Sequence, residues 1–209
     1  NRIQALFGAW LLSALALSPL AQANGTLLIV GGALKEENAT VHRALIDAMP
    51  PEGKMVIVPV ASGRPAESAA DFVASLEKHG LERNRIAIYP LAVRDDEATP
   101  EVDESTWEKN AWSEASVSGI SNAAGFWFTG GDQVRITQTM RSEDGEESPL
   151  LKLVRQRLAS GAVVGGSSDL RLIVQWTGVP RYGTSSFQTF QIAMFQNGRV
   201  EFRYQTVTG

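Results

Sequence analysis

Five short apolar runs, at residues 26–30, 55–60, 86–89, 126–129 and 162–164, constrain this chain more than any other feature. They are nearly continuous in apolar residues rather than alternating. Strands buried on both faces of a parallel sheet read this way, because neither face meets water. Between the runs lie amphipathic stretches of helical period. Val41, Ala44, Leu45 and Ala48 recur at i, i+3, i+4 and i+7, and Phe72, Val73 and Leu76 form a similar stripe. Gly80 stands where the second helix should end, and Ser148-Pro149 supplies an N-cap followed by proline at the first helical position. Gly161 closes that last helix. Strands alternating with helices predict an α/β domain with parallel strands and right-handed crossovers.

Two regions break the rhythm. Residues 94–118 carry Asp95, Asp96, Glu97, Glu101, Asp103, Glu104, Glu108 and Glu114 with little helical period. This stretch reads as a surface excursion with a short helix around Trp107 to Trp112. Its acidity serves solvation, with recognition of a cationic substrate as the competing reading. Residues 169–209 hold 7 of the chain's 16 aromatic residues and no lysine. Residues 188–195 and 199–205 flank Asn197-Gly198, a strong hairpin signal. Val200, Phe202 and Tyr204 alternate with Arg199, Glu201 and Arg203, giving one buried and one wet face. With residues 171–176 the tail predicts three antiparallel strands, different in kind from what precedes it.

The first 23 residues stand apart as well. Arg2 is their only charge, Leu and Ala dominate, and the segment ends in Ala21-Gln22-Ala23. That pattern predicts a cleaved signal peptide, hence a secreted or periplasmic protein with no membrane association after cleavage. Composition narrows the chemistry. The chain has no cysteine, which excludes a disulfide scaffold, a thiol nucleophile and a cysteine-based zinc site. Its two histidines, His42 and His79, leave little for a metal centre, and neither a metal nor a cofactor is expected. A net charge of −4 gives no support for nucleic-acid binding.

Two glycine-rich segments could carry chemistry. Phe126-Trp127-Phe128-Thr129-Gly130-Gly131-Asp132-Gln133 is an apolar strand ending in Gly-Gly, with a polar pair opening a helix. Such a turn lets backbone N–H groups face a ligand, and the helix N-terminus adds positive potential. Gly161-Ala162-Val163-Val164-Gly165-Gly166-Ser167-Ser168 repeats the design, with serine expected at the tip of a sharp turn. A serine so placed has the geometry of a nucleophile elbow, its hydroxyl exposed beside oxyanion donors. An ordinary turn is the plainer reading of each segment alone.

These segments follow Leu28-Ile29-Val30-Gly31-Gly32-Ala33-Leu34 and Val58-Pro59-Val60-Ala61-Ser62 in one order, with Arg135 just downstream of the first Gly-Gly turn. In that combination residues 24–168 resemble the cyanophycinase-like serine peptidases, relatives of the aspartyl dipeptidase peptidase E. The resemblance implies a three-layer α/β/α fold with a parallel sheet, like class I glutamine amidotransferases, here incomplete and followed by the antiparallel tail. It implies acyl transfer on aspartyl peptides or an arginine-decorated polyaspartate. Ser168 then takes the nucleophile position, Gly131 an oxyanion donor, and Asp132 and Gln133 contacts to substrate. The chain departs from the family where Asp169-Leu170 replace Ala-Gly after the serine, and where no histidine follows His79. A serine hydroxyl needs an adjacent base, so the chain as written is expected to be nearly inactive. His79 sits near a helix end, where a surface role is expected, and His42 is likewise not assigned to the triad. Residues 169–209 resemble extracellular β-sandwich modules, and a composite chain is preferred to a divergent family ending. The alternative function is a catalytically inactive, secreted binding protein.

Overall fold

The computed structural model describes residues 25–31 and 34–167 in full and, at 168, 171–180, 187–195 and 200–204, the strand backbone. The expected signal segment, Gly32-Ala33, Asp169-Leu170 and the Asn197-Gly198 turn lie outside the described residues. Among the described residues no helix is long and apolar enough to cross a membrane.

Five parallel strands form the main sheet: β1 (Thr26–Gly31), β2 (Met55–Val58), β3 (Ile86–Ile88), β4 (Gly125–Phe128) and β5 (Val163–Ser168), in the order β1-β5-β4-β2-β3. Each expected apolar run supplies one of them. All four residues of β2 are buried, with Met55 and Ile57 directed to one face and Val56 and Val58 to the other. The two faces therefore carry separate cores, which is what a three-layer α/β/α arrangement requires. On one face α1 (Ala39–Asp47) and α2 (Pro65–Lys78) bring Leu45, Val73 and Leu76 onto Met55, Ile57 and Trp127. On the other, α5 (Pro149–Ala159) and a 3₁₀ segment (Trp107–Trp112) bring Leu150, Val154 and Ala111 onto Val56, Val58 and Phe126. Burying each such aliphatic or aromatic side chain stabilises the fold by about 1.5–3 kcal/mol.

The start of α5 follows its sequence signal, Ser148 Oγ accepting from the Leu151 N–H at 3.2 Å. At the start of α1, Asn38 Oδ1 accepts from the Val41 N–H at 3.2 Å. Two shorter helices, α3 (Glu114–Ser118) and α4 (Gln133–Met140), precede and follow β4.

The acidic excursion is less solvated than expected. Glu104 is buried, accepting from the Asp96 N–H at 3.1 Å and Thr99 Oγ1 at 3.4 Å, while its own N–H donates to Asp95 Oδ1 at 2.8 Å. Acidic side chains here tie the loop to itself. At its far end the Tyr89 hydroxyl donates to the Asn110 carbonyl at 2.6 Å, and burial pushes the phenol pKa up to about 12.

Residues beyond β5 form a separate antiparallel sheet of β6 (Arg171–Pro180), β7 (Phe187–Phe195) and β8 (Val200–Tyr204), in that order. Its register pairs Ile192 with Val174 on one side and with Phe202 on the other.

Candidate active site

The order of the sheet places a crevice by itself. From β2 the chain moves outward through α2 to β3, whereas from β4 it moves the other way to β5. β2 and β4 are neighbours, so the connections that leave their carboxyl ends run on to opposite sides of the sheet. Open α/β sheets bind ligands at such a switch point.

Two loops meet in this crevice. After β4, Thr129 donates its N–H to the Val58 carbonyl at 3.3 Å, and the chain then turns through Gly130-Gly131. Gly131 has φ +139°, and a Cβ there would land on the Ala61 carbonyl oxygen. Glycine is thus required twice, for its backbone angle and for the close approach. The Asp132 N–H donates to the Ala61 carbonyl at 2.8 Å, and the Arg135 guanidinium donates to the Ser62 carbonyl. The loops after β2 and β4 are therefore stapled together through backbone oxygens. Asp132 itself caps α4, its Oδ1 accepting from the Val134 N–H at 2.9 Å. Gln133 opens that helix, and both residues stand just beyond the Gly-Gly turn.

The second glycine-rich segment differs from expectation. Gly165, Gly166, Ser167 and Ser168 are strand residues of β5, not a turn, and the next described element is β6 rather than an elbow helix. Pairing explains this. Ser167 lies opposite Val30 and Ser168 opposite Gly31, so β1 holds the segment extended to its last residue. On the β4 side, pairing stops at Phe128 and Gly166. Ser167 and Ser168 therefore run level with the Thr129–Gly131 turn, and both serines and Gly131 share the carboxyl edge of the sheet.

A cleft of about 730 Å³ opens at this edge on the α1–α2 side. Ser62, Thr129, Gly130 and Ser167 form its floor, Phe72 and Trp127 an aromatic wall, and Glu36, Arg64 and Asp71 its charged rim. Phe72 and Trp127 stack at 4.6 Å between ring centroids and 7° between planes. None of the lining residues comes from the acidic excursion.

His42 also lines the cleft and is buried, which the sequence did not signal. Its Nδ1 lies 2.8 Å from the Asn38 carbonyl, and its Nε2 lies 2.8 Å from Ser75 Oγ. The His79 ring stacks on it at 4.4 Å, with its own Nε2 at 2.6 Å from the Glu36 carbonyl. Burial holds the His42 pKa below its ordinary value. Among the described residues no group of three or more His, Asp or Glu side chains could hold a metal.

No family model matches the chain. Among solved structures, the crystal structure of a peptidase from an acI-B1 Actinobacterium is similar at a TM-score of 0.50 and 20% identity. The match covers 70% of this chain and 55% of that one, so the chain spans little more than half of the neighbour's length. At this identity the likeness is one of fold: a three-layer α/β/α architecture that a peptidase also uses.

Proposed function

We propose that this chain carries the nucleophile-bearing part of an exported serine hydrolase of the cyanophycinase-like class, acting on aspartyl or arginyl-aspartate peptides. The observation that carries this reading is the meeting of the Gly130-Gly131 turn and the serine-bearing end of β5 at one sheet edge. Ser168 attacks the scissile carbonyl, its proton passes to a base, and the Gly131 N–H stabilises the oxyanion that forms. A rim with Arg64 beside Glu36 and Asp71 suits a substrate carrying both carboxylates and a guanidinium.

No histidine follows His79, so no downstream base is present in this chain. Positioning and oxyanion contacts alone leave residual catalysis of about 10³–10⁴ over water in proteases stripped of a triad member. Dipeptide release from arginyl-aspartate polymer by the 209-residue chain is expected near that residual level. A chimera continuing past Ser168 with Ala-Gly and a histidine-bearing peptidase segment should release dipeptide freely, and Ser168→Ala should abolish it. Release that survives Ser168→Ala would end this assignment.

The extended β5 end, with no elbow helix described after it, favours a second reading. In that reading the cleft binds such peptides without cleaving them. Calorimetric binding of an arginyl-aspartate dipeptide, with no release by either form, would select it.

A further inference from the structure

We propose that Ser75 is a second nucleophile on this cleft, with His42 as its base. A carbonyl oxygen can only accept, so at 2.8 Å the Asn38 carbonyl fixes the proton on His42 Nδ1. His42 Nε2 then presents a lone pair, and Ser75 Oγ at 2.8 Å must be the donor. The result is a serine–imidazole–acceptor chain in which a backbone carbonyl stands where acyl-transfer enzymes often place a carboxylate. Stacking on His79, itself anchored at 2.6 Å to the Glu36 carbonyl, holds the imidazole in orientation. Both members of the pair are buried residues that line the cleft, so the cleft is the side from which a reagent would approach the hydroxyl.

The pair is distinct from the serines of β5. Ser75 lies within α2, whose backbone N–H groups are engaged in the helix, so α2 itself provides no oxyanion donors. The expected chemistry is therefore slow covalent capture of a strong electrophile rather than rapid turnover. With a fluorophosphonate, Ser75 Oγ bonds to phosphorus, the P–F bond breaks and fluoride leaves. The hydroxyl proton passes to His42 Nε2, while Nδ1–H stays on the Asn38 carbonyl. The titratable groups facing this imidazole are Glu36, paired with Lys78 at 2.8 Å, and the stacked His79, with Asp71 and Arg64 on the same cleft. Capture requires the neutral imidazole, and burial favours that form.

The test is to treat the full chain with a fluorophosphonate and locate the adduct by fragment mass spectrometry. The expected result is an adduct on Ser75, with His42→Gln slowing its formation by about 10²-fold, the low end of general-base contributions. The rate should rise with pH to a plateau reached below the range of an ordinary histidine. A purely structural hydrogen bond would give neither the adduct nor the profile. Adduct mapping uses the unmutated chain, so a folding defect in Ser75→Ala cannot obscure it. An adduct on Ser168 or Ser167 instead overturns this proposal while favouring the peptidase reading, and absence of any adduct overturns it as well.

Discussion

The chain writes Gly-Gly just after β4 and again within the adjacent β5, and the structure uses the pair in opposite ways. After β4, Gly130-Gly131 leaves the sheet, with Gly131 at φ +139° against the Ala61 carbonyl. In β5, Gly165-Gly166 stays in the sheet, paired with both β1 and β4. There the missing side chains matter instead: a Cβ on Gly165 would lie 2.8 Å from the Trp127 ring and 2.8 Å from the Leu28 carbonyl. The same dipeptide is a turn in one place and a clearance in the other. Sequence shows that glycine is needed; only the neighbours show why.

Substitution by alanine should separate the two uses, with the larger effect at the turn. Gly131→Ala combines a backbone angle that L-residues rarely adopt with a carbonyl in the way of the new Cβ. Strain of this kind and overpacking together cost about 3–5 kcal/mol. Urea unfolding should therefore show a chain close to losing its fold. An unfolding midpoint equal to that of the parent would mean that the turn does not hold this conformation in solution.

Gly165→Ala meets only overpacking, at about 1–3 kcal/mol. Its cost should depend on the facing ring. In a Trp127→Leu background the same substitution should be milder by about 1 kcal/mol, a coupling that contacting residues commonly show. Gly131→Ala should keep its full cost in that background, since its obstacle is backbone. Equal costs for Gly165→Ala in the two backgrounds would remove Trp127 as the reason for glycine there.

The contrast also marks what was legible in the sequence. Each strand of the main sheet could be read because doubly buried strands leave continuous apolar runs, as in Met55-Val56-Ile57-Val58. The helix start at Ser148 is local chemistry, since its side chain bonds an N–H three residues on. Residues 165–168 read as a turn in sequence because Gly-Gly-Ser-Ser has turn composition. What overrides composition is pairing with β1, a contact between residues more than 130 positions apart, as in Val30 with Ser167. His42 was illegible for a related reason. Its helical position is unremarkable in sequence, and only the packing of α2 on α1 brings Ser75 to its Nε2. Glu104 is the same case in an acidic loop. A run of carboxylates reads as solvated surface until backbone N–H groups fold back onto one of them.

The smallest expected effect follows from extending the comparison to the cleft. The floor made by the two strand ends is built from backbone, glycine and hydroxyl groups, whereas the α1–α2 wall contains a buried imidazole. Mild acid should therefore act on the wall. Burial lowers the folded-state pKa of His42 from its ordinary 6.5. Between the folded value and 6.5 the unfolded chain binds a proton that the folded chain refuses, so stability rises with pH across that window. The contribution is complete above the ordinary value, shrinks as pH falls, and levels off once folded His42 is itself protonated. Glu36, whose pKa is lowered chiefly by its hydrogen bond to Lys78, loses its contribution only in a lower window, below its ordinary 4.5. Urea midpoints at about pH 7.5 and about pH 5.5 should thus fall for the parent chain and fall less for His42→Gln, which keeps an acceptor for Ser75 but has no proton to gain. If the two chains lose stability in parallel, the acid response belongs to other groups, and the imidazole in the wall does not stay neutral through burial.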